Sequence, residues 1–176
     1  MILKMLHSHL EFIFFILNLR ISTVNLLNFT TSTTTTEALD FMNMDALIYC
    51  KFQANGYNCG GEGRFLPKFY YDTLLEDCKS TIIGSCPNNL NSFSSLSSCR
   101  NTCRDVGTHK LPANLSTRVI CRLQYDFGTC NGYYPKWYFD VSTRRCKGFS
   151  YSGCGGNLNR FVTQQMCATI CSVAID

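Results

Sequence analysis

The chain has 176 residues, 12 of them cysteine, with a formal net charge of +4, 16% charged residues and 13% aromatic residues. So small a positive excess excludes an electrostatic case for nucleic acid or for a membrane surface as partner. No H-E-x-x-H, G-x-S-x-G or phosphate-loop pattern occurs, and His7, His9 and His109 all fall outside the cysteine-rich segments. A Ser-His or Cys-His pair would lack a scaffolded base, so an enzyme is not expected.

In chain order, Lys4 precedes an apolar segment, Phe12 to Leu17, that reads as the hydrophobic part of a secretory signal. It is too short to span a bilayer, which takes about 20 apolar residues. A cut near Ser22 or Thr23 defines an expected signal peptide over residues 1–23 and a secreted, extracellular product with no membrane anchor after its removal. The run from Thr30 to Thr36 cannot bury a core, which places a Thr-rich disordered stalk over 24–46. Asn28-Phe-Thr and Asn114-Leu-Ser are acceptor sequons, so glycosylation is expected at Asn28 and Asn114, both outside the cysteine-rich segments.

The cysteines form two sets of six, Cys50 to Cys103 and Cys121 to Cys171, separated by a cysteine-free stretch over 104–120. Such density occurs where a core is too small to hold a fold unaided, and disulfides at about 2–4 kcal/mol each supply the difference. Neither set contains a paired C-x₂-C knuckle, so no metal is expected, and nothing calls for a cofactor. Lys68-Phe-Tyr-Tyr-Asp72 repeats as Lys136-Trp-Tyr-Phe-Asp140, each preceded by Pro. These runs read as strands, and their aromatic residues as hairpin packing. Lys147 to Tyr151 is the expected hairpin partner in the second module, with the turn at Ser142 to Arg145. Cys99 and Cys103, like Cys167 and Cys171, are four apart, one turn of a helix, with Ser95 and Thr163 as candidate N-caps.

The fold class is therefore small, disulfide-rich α+β, with two modules that are each a twisted antiparallel hairpin plus a C-terminal helix. The first covers 47–106 and the second 118–174, joined by a linker over 107–117 that need not fix their orientation. Residues 45–106 carry no net charge, whereas residues 118–176 carry seven basic and three acidic groups, hence +4, read as a solvated basic surface.

In the second set, the gaps between successive cysteines are 8, 15, 7, 12 and 3 residues. Phe149, Gly153, Cys154, Phe161 and Cys167 complete the pattern F-x-x-x-G-C-x₆-F-x₅-C. On these residues the module resembles the Kunitz (pancreatic trypsin inhibitor) family. Six cysteines can pair in many ways, and sequence does not choose among them. The resemblance implies first with sixth, second with fourth and third with fifth. That gives Cys121–Cys171, Cys130–Cys154 and Cys146–Cys167, and in the first module Cys50–Cys103, Cys59–Cys86 and Cys78–Cys99.

The family resemblance further implies a serine-protease inhibitor. Its loop around the second cysteine enters the active site as a substrate would, preorganised so that little ordering entropy is lost. Carried over, this loop is Gly128, Thr129, Cys130, Asn131, Gly132, Tyr133 and Tyr134, with Asn131 as the specificity residue. Asn131 cannot make the buried ion pair that Lys or Arg makes with an acidic pocket base, so tight trypsin inhibition is not expected. Ser152 stands where the family commonly has a glycine under the loop.

The first module departs further, with an 18-residue second gap that adds three residues. Its loop would comprise Cys59, Gly60, Gly61 and Arg64. Gly60 offers no side chain to a pocket, and the glycines weaken preorganisation. Paired divergent modules behind a leader resemble tissue factor pathway inhibitor and tick salivary anticoagulants, implying a monomer directed at a blood-coagulation protease. The alternative is a Kunitz-scaffold binding module, gripping an exosite or an ion channel without active-site inhibition.

Overall fold

The computed structural model describes residues 44–55, 65–84, 86 and 89–175. The leader, the stalk up to residue 43 with Asn28, and Cys59, Gly60, Gly61 and Arg64 lie outside the described residues. Among the described residues, no helix is long and apolar enough to cross a membrane, and no cluster of side chains could hold a metal ion.

Each module is built from the same parts in the same order. In the first, a short helix α1 (Ala46–Tyr49) precedes strands β1 (Leu66–Asp72) and β2 (Asp77–Ile83) and helix α2 (Leu96–Cys103). In the second, α3 (Thr117–Ile120) precedes β3 (Tyr134–Asp140), β4 (Arg145–Tyr151) and α4 (Gln164–Ile175). The strand pairs are antiparallel two-stranded sheets, with Tyr71 opposite Cys78 and Phe139 opposite Cys146. Ser95 Oγ accepts from the Ser98 amide at 3.1 Å and Thr163 Oγ1 from the Met166 amide at 3.1 Å, capping the helices the cysteine spacing predicts.

Asp45 caps α1 by accepting from the Leu47 amide, so Ala46, the last residue of the expected stalk, is already helical. Gly107, the first residue of the expected linker, is buried against Tyr71: a Cβ there would stand 2.3 Å from the ring. The Lys51 ammonium donates to the Gly107 carbonyl.

The repeated aspartate explains the repeated motif. Asp72 Oδ1 accepts from the Leu74 and Leu75 amides, and Asp140 Oδ1 from the Ser142 and Thr143 amides. Each aspartate thus folds the four-residue turn after its strand. The turn ends on a left-handed residue, Glu76 at φ 51° or Arg144 at φ 52°. Lys79 and Lys147, on the returning strands, pair with these same carboxylates. Burial pushes the Asp72 carboxyl up, but the Lys79 ammonium and the turn amides outweigh it and hold it below the ordinary range.

Each module has its own core. Cys121, Phe139, Val141, Cys146, Phe161, Cys167 and Cys171 form one, with Trp137 packed against it. Cys50, Tyr71, Cys78, Cys99 and Cys103 form the other, with Phe69, Phe93 and Leu96 against it. The sulfurs join as Cys50–Cys103, Cys78–Cys99, Cys121–Cys171, Cys130–Cys154 and Cys146–Cys167. Cys86 is also disulfide-bonded, and Cys59 lies outside the described residues. Cys78–Cys99 and Cys146–Cys167 tie hairpin to helix where so few apolar side chains could not.

Asp77 opens β2 and receives a two-pronged contact from Arg100 on α2, with Nε to Oδ1 at 2.8 Å and Nη2 to Oδ2 at 2.6 Å. The Arg100 guanidinium, with help from the Cys78 amide, holds the Asp77 carboxyl down to about 2, against an ordinary 3.8. Because the folded value is depressed, the contact contributes stability above about 4 and loses it as the pH falls toward about 2. The thermal midpoint followed from pH 5 to pH 2 is expected to fall less steeply in Asp77→Asn than in the wild type.

Candidate functional site

The segment that leads from α3 into β3 and ends at Tyr134 runs beside the chain that follows β4. Its residues Thr129, Cys130, Asn131, Gly132, Tyr133 and Tyr134 are all exposed, Tyr133 at 80%. A segment that buries so little must be held by polar contacts and crosslinks. The Cys130–Cys154 disulfide, with Cα atoms 5.4 Å apart, fastens its middle to the chain that follows β4.

Backbone hydrogen bonds to the same chain flank the disulfide. Ser152 N donates to Phe127 O at 2.8 Å, Thr129 N to Cys154 O at 3.1 Å, and Gly132 N to Ser152 O at 2.8 Å. Ser152 adds its side chain: its Oγ accepts from the Cys130 amide at 3.0 Å. The residue that the family pattern marks as a departure is therefore a support of the loop.

Two glycines make this close approach feasible. Gly128 sits at φ +81°, and a Cβ there would lie 2.1 Å from the Cys154 carbonyl oxygen. A Cβ on Gly132 would lie 2.5 Å from the Tyr134 ring and 2.7 Å from Ser152 O. Asp126 Oδ1 accepts from the Gly128 amide at 2.9 Å, setting the turn into the loop.

Beneath the entry arm, Tyr125, Phe127, Tyr138 and Phe149 form an aromatic cluster with ring centroids 4.6 to 6.4 Å apart. Burial, with smaller contributions from Asp140 and Tyr125, pushes the Tyr138 phenol up to about 12, so it stays neutral. Beside Gly128, Arg160 lies 3.8 Å from the centroid of the Tyr151 ring and donates to Gly155 O at 3.0 Å. The Tyr151 hydroxyl donates to the same carbonyl at 3.0 Å.

The seven residues of the second module's expected loop are consecutive, and all but half-buried Gly128 are exposed. Those expected for the first module's loop lie outside the described residues. Asn114 is exposed in the linker. Two further supports, Asn91 and Asn159, each 0% exposed, carry no motif of their own in the sequence. Asn159 Oδ1 accepts from Phe139 N at 2.9 Å, and its Nδ2 donates to Leu123 O and Phe139 O. Asn91 does the same between Tyr71 and Phe52. Both lie five residues after the fourth cysteine of their set, so overlaying the two repeats would have exposed them.

Among the described residues, these features define a crosslinked scaffold displaying a supported, uncharged loop. The model of the Kunitz/Bovine pancreatic trypsin inhibitor domain matches residues 49–104 and 120–172, and the chain belongs to that family, whose members are inhibitors and not enzymes. It is 34% identical over 134 residues to the Actinia tenebrosa protease inhibitors, covering 75% of this chain and 46% of that protein. It is 35% identical over 104 residues to the Kunitz-type serine protease inhibitor bitisilin-3 of Bitis gabonica, covering 59% and 60%. Amblin of Amblyomma hebraeum is 36% identical over 126 residues, covering 72% and 69%. The chain therefore spans about half the length of the first relative.

Gly128→Ala forces a side chain into a left-handed conformation and against a carbonyl. It is expected to cost at least about 1–3 kcal/mol in thermal or denaturant unfolding. Ser152→Ala removes one hydrogen bond and is expected to cost about 1 kcal/mol.

Proposed function

We propose that the chain is a secreted serine-protease inhibitor that acts by inserting the 128–134 loop, with Asn131 in the primary specificity pocket. The observation that carries this reading is Asn131 itself: exposed, next to a cysteine crosslinked to Cys154, and flanked by amides bonded to Ser152 and Cys154. A loop already fixed in place loses little conformational entropy on binding, so contact energy is retained as affinity. If the Asn131–Gly132 bond is cleaved, the same fixation keeps the freed Gly132 amine beside the acyl carbonyl of Asn131, which favours religation over release. Relatives named as protease inhibitors support the reading.

The side chain at position 131 narrows the target. An amide brings no charge to an acidic pocket base, and leaving such an acid buried and unpaired costs several kcal/mol. The preferred protease has a pocket that is neutral at its base. Tyr133 and Tyr134, both exposed, supply aromatic area on the far side of the scissile position.

Inhibition constants against trypsin, chymotrypsin, elastase, thrombin and factor Xa test this. Wild-type protein is expected to inhibit an enzyme with a neutral pocket better than trypsin. Asn131→Lys is expected to improve trypsin inhibition by about 100-fold or more. Absence of inhibition across the panel by correctly crosslinked protein would overturn the reading and leave a scaffold that binds without blocking an active site.

A further inference from the structure

The modules meet through a contact that the repeat itself generates. Phe52 and Leu123 pair in an antiparallel bridge, with Gln53 N donating to Arg122 O at 2.8 Å and Gln124 N to Lys51 O at 2.8 Å. With the hydrogen bonds on either side of the pair, the facing side chains come closest. Phe52 is 2% exposed and Leu123 0%, yet neither belongs to the core of its own module.

Around this bridge two glutamines cross over. Gln53 of the first module donates from Nε2 to Leu123 O at 3.0 Å and Phe139 O at 2.7 Å, and its Oε1 accepts from Val141 N at 3.2 Å. Gln124 of the second donates to Phe52 O at 3.1 Å and Tyr71 O at 2.8 Å, and accepts from Thr73 N at 3.1 Å. Gln53 and Gln124 each stand three residues after the first cysteine of their set, and their partners also occupy equivalent positions. The contact is pseudo-symmetric. Each of the four carbonyls takes one hydrogen bond from the buried asparagine of its own module and one from the glutamine of the other. A carbonyl oxygen has two lone pairs, and here both are used.

The Gln53 side chain holds the entry arm of the second module's loop at Leu123 O, and the end of β3 at Phe139 O and Val141 N. Residues Arg122 to Gln124 run directly into Tyr125 and Phe127 of the aromatic cluster and then into Gly128. The outer edge of that arm, Arg122 O and Gln124 N, is bonded to the first module. Its inner edge is held by Asn159 at Leu123 O and by Asn157 Nδ2 at Gln124 O, 2.6 Å away.

We propose that the first module is a brace for the second, and that Gln53 is a positioning residue for the 128–134 loop, acting through the Arg122–Gln124 arm. The proposal rests on reading 128–134 as the inhibitory loop. It gives the first module, whose own loop sequence departs furthest from the family, a role that needs no protease of its own.

The test uses the full chain with all disulfides formed. Amide hydrogen exchange is read at Thr129, Gly132 and Ser152 in wild type, Gln53→Ala, Gln53→Met and Asp77→Asn. Gln53→Met keeps side-chain bulk and removes the polar atoms, so it carries the comparison where the alanine variant does not fold. Asp77→Asn weakens the first module away from the bridge and controls for general destabilisation.

Loss of hydrogen bonds of ordinary worth is expected to speed exchange at these amides by about threefold to tenfold in the Gln53 variants and to leave Asp77→Asn within about twofold of wild type. Where a protease is inhibited, the Gln53 variants are also expected to be cleaved faster after Asn131. Unchanged loop exchange in the Gln53 variants, or an equal rise in Asp77→Asn, overturns the brace. The exchange outcomes are read without a protease, so they are separate from failure of the inhibition panel.

Discussion

The Cys130–Cys154 crosslink is the constraint on which the second module's surface depends. The six residues from Thr129 to Tyr134 are exposed, so the hydrophobic effect does nothing to hold them in one shape. Ordering a residue's backbone costs about 1–2 kcal/mol, and no burial offsets that here. A covalent tie, together with backbone bonds to Ser152 and Cys154, removes most of the alternative conformations before any partner arrives. The rest of the module serves this tie. The aromatic cluster that contains Phe127, and Tyr151 with Arg160 beside Gly128, support the chain that leads into it.

The repeat shows which contacts the fold requires and which it merely tolerates. The turn aspartate with its lysine, the buried asparagine five residues after the fourth cysteine, and the crossing glutamine occur in both modules. All three place a polar side chain on backbone groups that no regular structure satisfies, and a buried backbone group left unpaired costs about as much as a lost hydrogen bond. The Asp77–Arg100 pair is different. Its equivalents in the second module are Arg145 and Ala168, so that module joins hairpin to helix without it. A half-exposed ion pair of this kind contributes modestly, which is why one copy of the fold can dispense with it.

What was legible in the sequence was whatever recurs at short range. Pro-flanked aromatic runs give strands, a four-residue cysteine spacing gives helices, and Ser95 and Thr163 stand where caps belong. These signals depend on neighbouring residues alone. Asn91, Asn159, Gln53 and Gln124 were not legible in that way, because each acts on carbonyls 20 to 86 residues distant. Polar residues in irregular chain look the same whether they face water or close a network. Ser152 illustrates a related limit. Compared with a family pattern it is a missing glycine, and only the position of the Cys130 amide turns it into a hydrogen-bond acceptor.

The crossing glutamines also change where one unit of the molecule ends. Cysteine sets and linker divide the sequence between residues 103 and 121, and each set encloses its own small core. Phe52 and Leu123 nevertheless have almost no exposed surface, and they are covered across the division. Separating the modules would return both side chains to water, at about 25 cal/mol per Å² of apolar surface, and would strip each of the four carbonyls of one hydrogen bond. A repeat that folds on its own core can therefore still depend on its twin. Residues Asp45 to Asp176 form one compact unit, and a change at position 53 can be felt at a loop that begins at Gly128 because the Arg122–Gln124 arm belongs to both.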